Sequence, residues 1–401
     1  MNPGQQRRWV AILGTIVAIG PMSIDMYLPS LPTLQSDFGV DAGAAQLTLS
    51  AYFLGLAIGQ IAYGPVADRF GRRGPLLFGL TLYVVASLLC AIAPNVEVLS
   101  VSRFVQAVGG CSGMIVTRAM VRDRFEPQDM ARILSAMVLV MGVAPILAPL
   151  AGGQILGWFG WRAIFVVLAL FGAACLAAAW FGLPETLAER GAPLSLRSVT
   201  GGYLRMLRHR RFMGYALAGG TASAGMFAYI SGAAFVFIEV FGVSPDRFGL
   251  FFGANAFGLI VVSQANSWLL RRFRAEYILR GALSVFAGAG LVLLLTASTG
   301  WGGLWGVAVP LFICISSLGC SFPNATACAM APFGDRAGLA SALMGTLQFT
   351  VAAVAGAAVG QLHDGTAWSM ALVVAACGVS ALTLLRTLVG SPRADIARAA
   401  Q

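Results

Sequence analysis

Apolar residues run through this chain in long stretches broken by short polar turns. Two of these runs, 46–66 and 76–93, are each about 20 residues long, enough for a helix to cross a ~30 Å hydrocarbon layer. Runs of the same kind predict spans over 9–31, 98–120 and 133–156, and a sixth ending near Leu183. Six more follow, over 213–238, 248–270, 277–297, 304–330, 338–362 and 367–389. Twelve spans of ~20 residues take up roughly 240 of the 401 positions and leave room only for short connections. The expected fold is an all-α polytopic membrane protein with two six-helix halves, residues 1–184 and 212–401. Between them lies the longest polar segment, 185–211, with six arginines (Arg190, Arg197, Arg205, Arg208, Arg210 and Arg211).

Composition agrees with that pattern and removes several function classes. With 58% hydrophobic and 10% charged residues and a mean hydropathy of +0.81, the chain is not a soluble domain carrying an anchor. A net charge of +10 would point to nucleic acid in a soluble protein, but here its placement decides. All 26 basic residues are arginine, and only Arg103, Arg162 and Arg247 fall in or beyond the membrane. The remaining 26 − 3 = 23 lie on one side, which sets both termini in the cytoplasm by the positive-inside rule. Without lysine there is no P-loop and no Schiff base, so ATP is not the energy source. The seven cysteines all sit in apolar runs, and two histidines in loops are too few for a metal cluster. Arg7-Arg8 followed by an apolar run resembles a signal peptide but lacks a small-residue cleavage site, so it is expected to remain as the first span.

Between spans 2 and 3 lies Gly64-Pro65-Val66-Ala67-Asp68-Arg69-Phe70-Gly71-Arg72-Arg73. A bilayer cannot hold four clustered charges without partners, so this must be a short, wet turn. Its glycines, Gly64 and Gly71, let two helix ends approach closely, while Arg69, Arg72 and Arg73 hold the turn in the cytoplasm. The pattern G-x-x-x-D-R-x-G-R-R resembles the signature loop of the major facilitator superfamily. That likeness implies two six-helix bundles. A fixed charge cluster at the joint where the bundles separate predicts a gating role for Asp68 and Arg72, which should bond neighbouring helix ends only when the cytoplasmic side is closed, with Arg72 reaching Asp123 after span 4.

Asp25 is the one carboxylate well inside a span, where an ionisable group costs several kcal/mol unless paired, hydrated or protonated. It lies sixteen residues beyond Trp9, roughly 24 Å along the helix. Arg103 in span 4 comes to a similar depth, so the two are expected to pair, or at least to share one field. The words around them are more specific. Asp25-Met26-Tyr27-Leu28-Pro29-Ser30-Leu31-Pro32, Arg118-Ala119-Met120-Val121-Arg122-Asp123 and Ala337-Gly338-Leu339-Ala340-Ser341-Ala342-Leu343 resemble the bicyclomycin- and chloramphenicol-resistance (Bcr/CflA) branch of drug:proton antiporters. The resemblance covers essentially the whole chain and implies proton and substrate handling at Asp25. It also implies proton transfer at Arg103, although Ala107 stands where the superfamily pattern has glycine.

Gly142, Pro145, Pro149, Gly152 and Gly153 in span 5 resemble the antiporter motif, in which small residues allow close contact and prolines bend the helix. Met22, Met26, Tyr52, Met114, Phe227 and Tyr229 are candidates for an apolar, adaptable cavity wall. In the second half, Asn255 and Asn324 serve either substrate or helix-to-helix hydrogen bonds. The expected function is proton-driven export of small amphipathic drugs by alternating access, from a bacterial inner membrane. Protons are the coupling ion, no cofactor, metal or nucleic acid is involved, and the expected state is a monomer. A dedicated exporter of a native metabolite, such as a sugar or amino acid, is the rival within transport. An enzyme would need a nucleophile–base pair or metal cluster, and the chain has no H-E-x-x-H or G-x-S-x-G and no histidine inside a span.

Overall fold

A computed structural model of the chain describes residues 3–187 and 196–389. All regular elements among them are helical, and twelve segments are long and apolar enough to cross a bilayer. Span 1 is built from α1 (Pro3–Val17), α2 (Ile19–Asp25), a 3-10 turn over Leu28–Ser30 and α3 (Leu31–Phe38). Spans 2 to 6 are α4 (Ala42–Phe70), α5 (Arg73–Ala91), α6 (Val96–Arg124), α7 (Pro127–Phe159) and α8 (Trp161–Gly182). A connecting helix, α9 (Leu196–Arg208), leads into α10 (Arg210–Ala234) and α11 (Pro245–Leu269). The last four are α12 (Ala275–Thr299), α13 (Gly303–Met330), α14 (Ala337–Gln361) and α15 (Trp368–Leu384). Of the basic segment 185–211, residues 188–195, with Arg190, lie outside the described residues.

Span 1 departs from the sequence reading, which ends it at residue 31. The span runs Arg8–Phe38, 31 residues, so Asp25 is its eighteenth residue and stands near its middle. The cause is proline. Pro21 has no N–H for the Val17 carbonyl, and the helix breaks at Ala18; Pro29 and Pro32 do the same to the carbonyls of Asp25 and Leu28. These prolines interrupt the span without ending it. Asp37, expected in an outer loop, therefore lies in α3, where its Oδ2 accepts from Trp161 Nε1 at 2.8 Å.

The chain divides into two compact units. The first holds Met1–Ser195 with Gly242–Gly253, and the second Leu196–Phe241 with Ala254–Gln401. In the first, α6 packs against both α4 and α5 at backbone distance: a Cβ on Gly109 would lie 2.5 Å from the Tyr83 nitrogen, and one on Gly55 would strike the Phe104 carbonyl. In the second, α13 does likewise, with Gly319 set against the Ser263 nitrogen of α11 (2.6 Å to an added Cβ). Large apolar side chains fill the core and also lie exposed, the exposed ones including Phe78, Val101, Leu170, Phe181 and Leu295, and polar groups including Asp25, Arg103, Gln46 and Asn324 are buried. Only a hydrocarbon solvent makes that distribution favourable. Among the described residues all seven cysteines are free, six of them buried.

Candidate functional site

The breaks in span 1 isolate α2 as a seven-residue segment whose last residue is Asp25. The Asp25 side chain is 4% exposed and Arg103, on α6, is fully buried. They form no ion pair within 4.0 Å, contrary to the pairing expected from their depths. Arg103 Nη1 donates instead to the Ser23 carbonyl at 3.0 Å and to Gln106 Oε1 at 2.7 Å. The bond to the Ser23 carbonyl docks Arg103 on the backbone of the short helix that ends at Asp25, two residues from the carboxylate but not paired with it. The guanidinium charge is met by rings: its carbon lies 4.2 Å from the Tyr52 centroid, 4.7 Å from Tyr27 and 5.7 Å from Phe165. Such contacts are worth up to ~2 kcal/mol each when desolvated, which offsets part of the cost of burying the cation.

A chain of hydrogen bonds holds this core of the first unit together. Gln106 Nε2 donates to Ser87 Oγ at 2.7 Å, and Ser87 Oγ donates to the Tyr83 carbonyl at 2.7 Å. Ser23 and Tyr83 hydroxyls share a 2.7 Å bond, as do those of Tyr27 and Thr48. Both Arg103 and Asp25 act electrostatically on the Tyr52 phenol, so the two charges share one neighbourhood without touching.

The charged turn is the second cluster. Arg72, 3% exposed, donates from Nη1 to Asp68 Oδ1 at 2.5 Å and from Nε to Asp123 Oδ2 at 2.7 Å. Arg73 Nη2 donates to the Trp180 carbonyl at 2.8 Å, while Arg69 is exposed and lies over the Phe70 ring. Gly64 has open space where a Cβ would be. Sequence reasoning missed the third carboxylate. Glu185, just past α8, accepts from the backbone nitrogens of Arg72 at 2.8 Å and Arg73 at 3.1 Å, two of the orphan donors at the start of α5. Burial pushes its carboxyl upward, but backbone N–H groups of Leu187, Arg72, Arg73 and Thr186 outweigh burial and hold it below its usual 4.5. Gly71, at φ +92°, is where this carboxylate sits; an added Cβ would strike Glu185. The available signal was Pro184-Glu185, a rigid stop carrying an acid beside an arginine-rich turn.

The model of the Major Facilitator Superfamily matches residues 13–357 of this chain. The chain belongs to that superfamily. An uncharacterised MFS-type transporter, YdgK, of Bacillus subtilis is 36% identical over 93% of this chain and 94% of the relative. A bicyclomycin resistance protein homolog of Haemophilus influenzae is 32% identical over 92% and 93% of the two chains. Those relatives accord with the Bcr/CflA likeness read from the motifs. Among solved structures, the xylose transporter XylE from E. coli, in a partially occluded inward-open conformation, superposes with a TM-score of 0.75. It is 14% identical and aligns over 97% of this chain and 99% of that one, a likeness of fold. The protein is thus a multi-pass bacterial membrane transporter of small molecules and not an enzyme.

In this facilitator α7 stays helical through Pro145 and Pro149, with Gly142 half-buried and Pro149, Gly152 and Gly153 buried. Gly152 lies on the Met26 carbonyl, so the end of α2 and α7 meet backbone to backbone. Gly153 faces the Pro245 carbonyl in the same unit, 2.6 Å from an added Cβ. Met26 and Tyr52 are buried around Arg103 and α7, whereas Met22 and Met114 are half-buried. In the second unit the amides are spent on helix-to-helix bonds. Asn255 Nδ2 donates to Tyr229 Oη at 3.0 Å, Asn324 Nδ2 to Asn266 Oδ1 at 2.6 Å, and Gln348 Nε2 to Ser223 Oγ at 2.7 Å. Phe227 packs its ring on Phe349 at 5.6 Å between centroids.

Proposed function

We propose that this facilitator exports small amphipathic drugs in exchange for protons, by alternating access, from a bacterial inner membrane. Both termini face the cytoplasm, the working unit is a monomer, and no cofactor takes part. One observation carries the reading: a lone mid-span carboxylate, Asp25, closes a short helix between two proline-made breaks. Discontinuous helices near the midplane are where secondary transporters hold their coupling ions, and an intramembrane carboxylate is the group that binds a proton there. The name of the Haemophilus influenzae relative supplies the substrate class. Proton and substrate compete for Asp25, and Arg103, docked on Ser23 of the same segment, carries the change of charge into α6. The Asp68–Arg72–Asp123 cluster with Glu185 is the joint that closes on one side and opens on the other. A gradient of 100 mV gives about 2.3 kcal/mol per charge moved, enough for a concentration ratio of ~50.

The test is uptake of a fluorescent amphipathic cation into everted vesicles carrying the transporter. An imposed proton gradient should drive accumulation, and collapsing it should release the compound. Equal uptake with and without the gradient would remove proton coupling.

A further inference from the structure

Beyond the coupling site, the second unit carries a groove of about 500 Å³ between α11, α12 and α13, within the range of small-molecule sites. Its walls are apolar, with Leu269, Phe273, Tyr277, Val285 and Phe312 among them. The α12 wall runs from Tyr277 to Val285, eight residues or about 12 Å, which is close to one leaflet of a ~30 Å bilayer core. The groove therefore has the length of one acyl chain in one leaflet.

The chain that lines one end of it carries charge. Arg271, Arg272 and Arg274 stand between the lining residues Leu269 and Tyr277, all three exposed. Arg272 lies over the Trp268 ring at 4.8 Å, and none of the three makes an ion pair among the described residues. The neighbouring acid, Glu276, is taken up by Arg211 at 3.3 Å and by Tyr215 Oη at 2.9 Å. An apolar slot about one leaflet long, with three exposed guanidiniums on the segment between its lining residues Leu269 and Tyr277, matches a molecule with a phosphate head and an acyl tail. We propose that this groove binds one anionic phospholipid, its chain along α12 and its phosphate at Arg271, Arg272 and Arg274. By the topology proposed above, the lipid comes from the cytoplasmic leaflet.

Gly281 makes the site testable, because it lines the groove and has nothing within 4 Å of an added Cβ. The full-length transporter, reconstituted in nanodiscs of mixed phosphatidylglycerol and phosphatidylethanolamine, is released into mild detergent and weighed by native mass spectrometry. Wild type should retain one phosphatidylglycerol. Gly281→Phe should lose it while keeping the wild-type melting temperature. Replacing the three arginines by glutamine should leave a lipid bound but cut the preference for phosphatidylglycerol roughly fivefold per arginine. That second variant decides the matter if Gly281→Phe fails to fold. Equal retention of the two lipids by wild type means ordinary annular lipid and overturns the proposal, as does undiminished retention in a folded Gly281→Phe. Ser316, 7% exposed, lines the deep end with a hydroxyl that has no hydrogen-bond partner, where an acyl chain offers it nothing. Retention unchanged in Ser316→Ala is expected. Loss in that variant would assign the groove to a hydrogen-bonding compound instead.

Discussion

The turn after span 2 and the turn after span 8 occupy corresponding places in the two six-span halves, and both are rich in arginine. In the first, the protein takes up the charge: Arg72 is buried against Asp68 and Asp123, and Glu185 holds the backbone of Arg72 and Arg73. In the second, Arg271, Arg272 and Arg274 are exposed and make no ion pair among the described residues. Three carboxylates make the difference. One turn is held by internal partners, and the other presents an exposed basic surface. The spans repeat the contrast, since the first unit buries Asp25 and Arg103 while the second buries paired amides and hydroxyls. Counting arginines sets orientation, and the partners set the work each arginine does.

The sharpest way to break this contrast is at Asp25. Asp25→Asn keeps the shape and removes the titrating group, so proton-driven export should fall to the background of empty vesicles. Binding of the same compound should persist and lose its dependence on pH. Asp25→Glu keeps the group and moves it by about one methylene, so part of the activity should remain. Wild-type accumulation by Asp25→Asn would move coupling elsewhere and leave the first unit no more special than the second.

Much of this was legible in the sequence, for stated reasons. Span number and approximate ends follow from run length, because a bilayer demands about 20 apolar residues whatever they pack against. The charged end at 64–73 was legible in part: charge in that density has no place in the bilayer, but α4 carries Gly64 to Phe70 as helix and the turn itself is only Gly71 and Arg72. Depth arithmetic brought Asp25 and Arg103 to one level and allowed either an ion pair or a shared field; the two share a neighbourhood, and Ser23 and three aromatic rings stand where the pair would be. Pro29 and Pro32 read as the end of span 1, since a helix seen locally stops at proline; the polar stretch 33–37 gives no sign that the helix resumes over Leu31–Phe38. Glu185 was invisible because its partners are backbone N–H groups 112 and 113 residues away, which no side-chain pattern records.

A smaller effect is expected at the turn after span 2. Glu185→Gln keeps the shape of the acceptor but removes its charge, weakening the hold on the first turn of α5 and on the glycine beneath it. The wild-type carboxyl ionises below its usual 4.5, so its stabilising effect is present above that value and fades as pH falls through the lowered one. Melting curves of the purified transporter should therefore separate wild type from Glu185→Gln at pH 7 and converge toward pH 3. A constant gap across that range would mean that shape, not charge, closes the turn. Transport by the variant should fall partway, because Asp68 and Asp123 still hold Arg72.

The smallest effect belongs to the second unit. Asn324→Leu removes a 2.6 Å bond to Asn266 and a 2.7 Å bond to the Cys320 carbonyl, and fills the same space with an apolar side chain. Hydrogen bonds between membrane helices average ~0.6 kcal/mol, with a ceiling near ~1.7, because chains in lipid find other partners when unfolded. The exposed alternative for Asn266 is limited, since it too is buried, so the cost should lie toward the upper part of that range. A double-mutant cycle with Asn266→Ala, read as thermal stability in detergent, isolates the pair from the packing change. Proton-driven export per folded molecule should stay within about twofold of wild type, as expected for a bond that fastens α13 to α11 and touches no substrate. Export lost at unchanged melting temperature would make Asn324 a substrate contact, and the division of labour between a titrating first unit and a fastening second one would then fail at its weaker end.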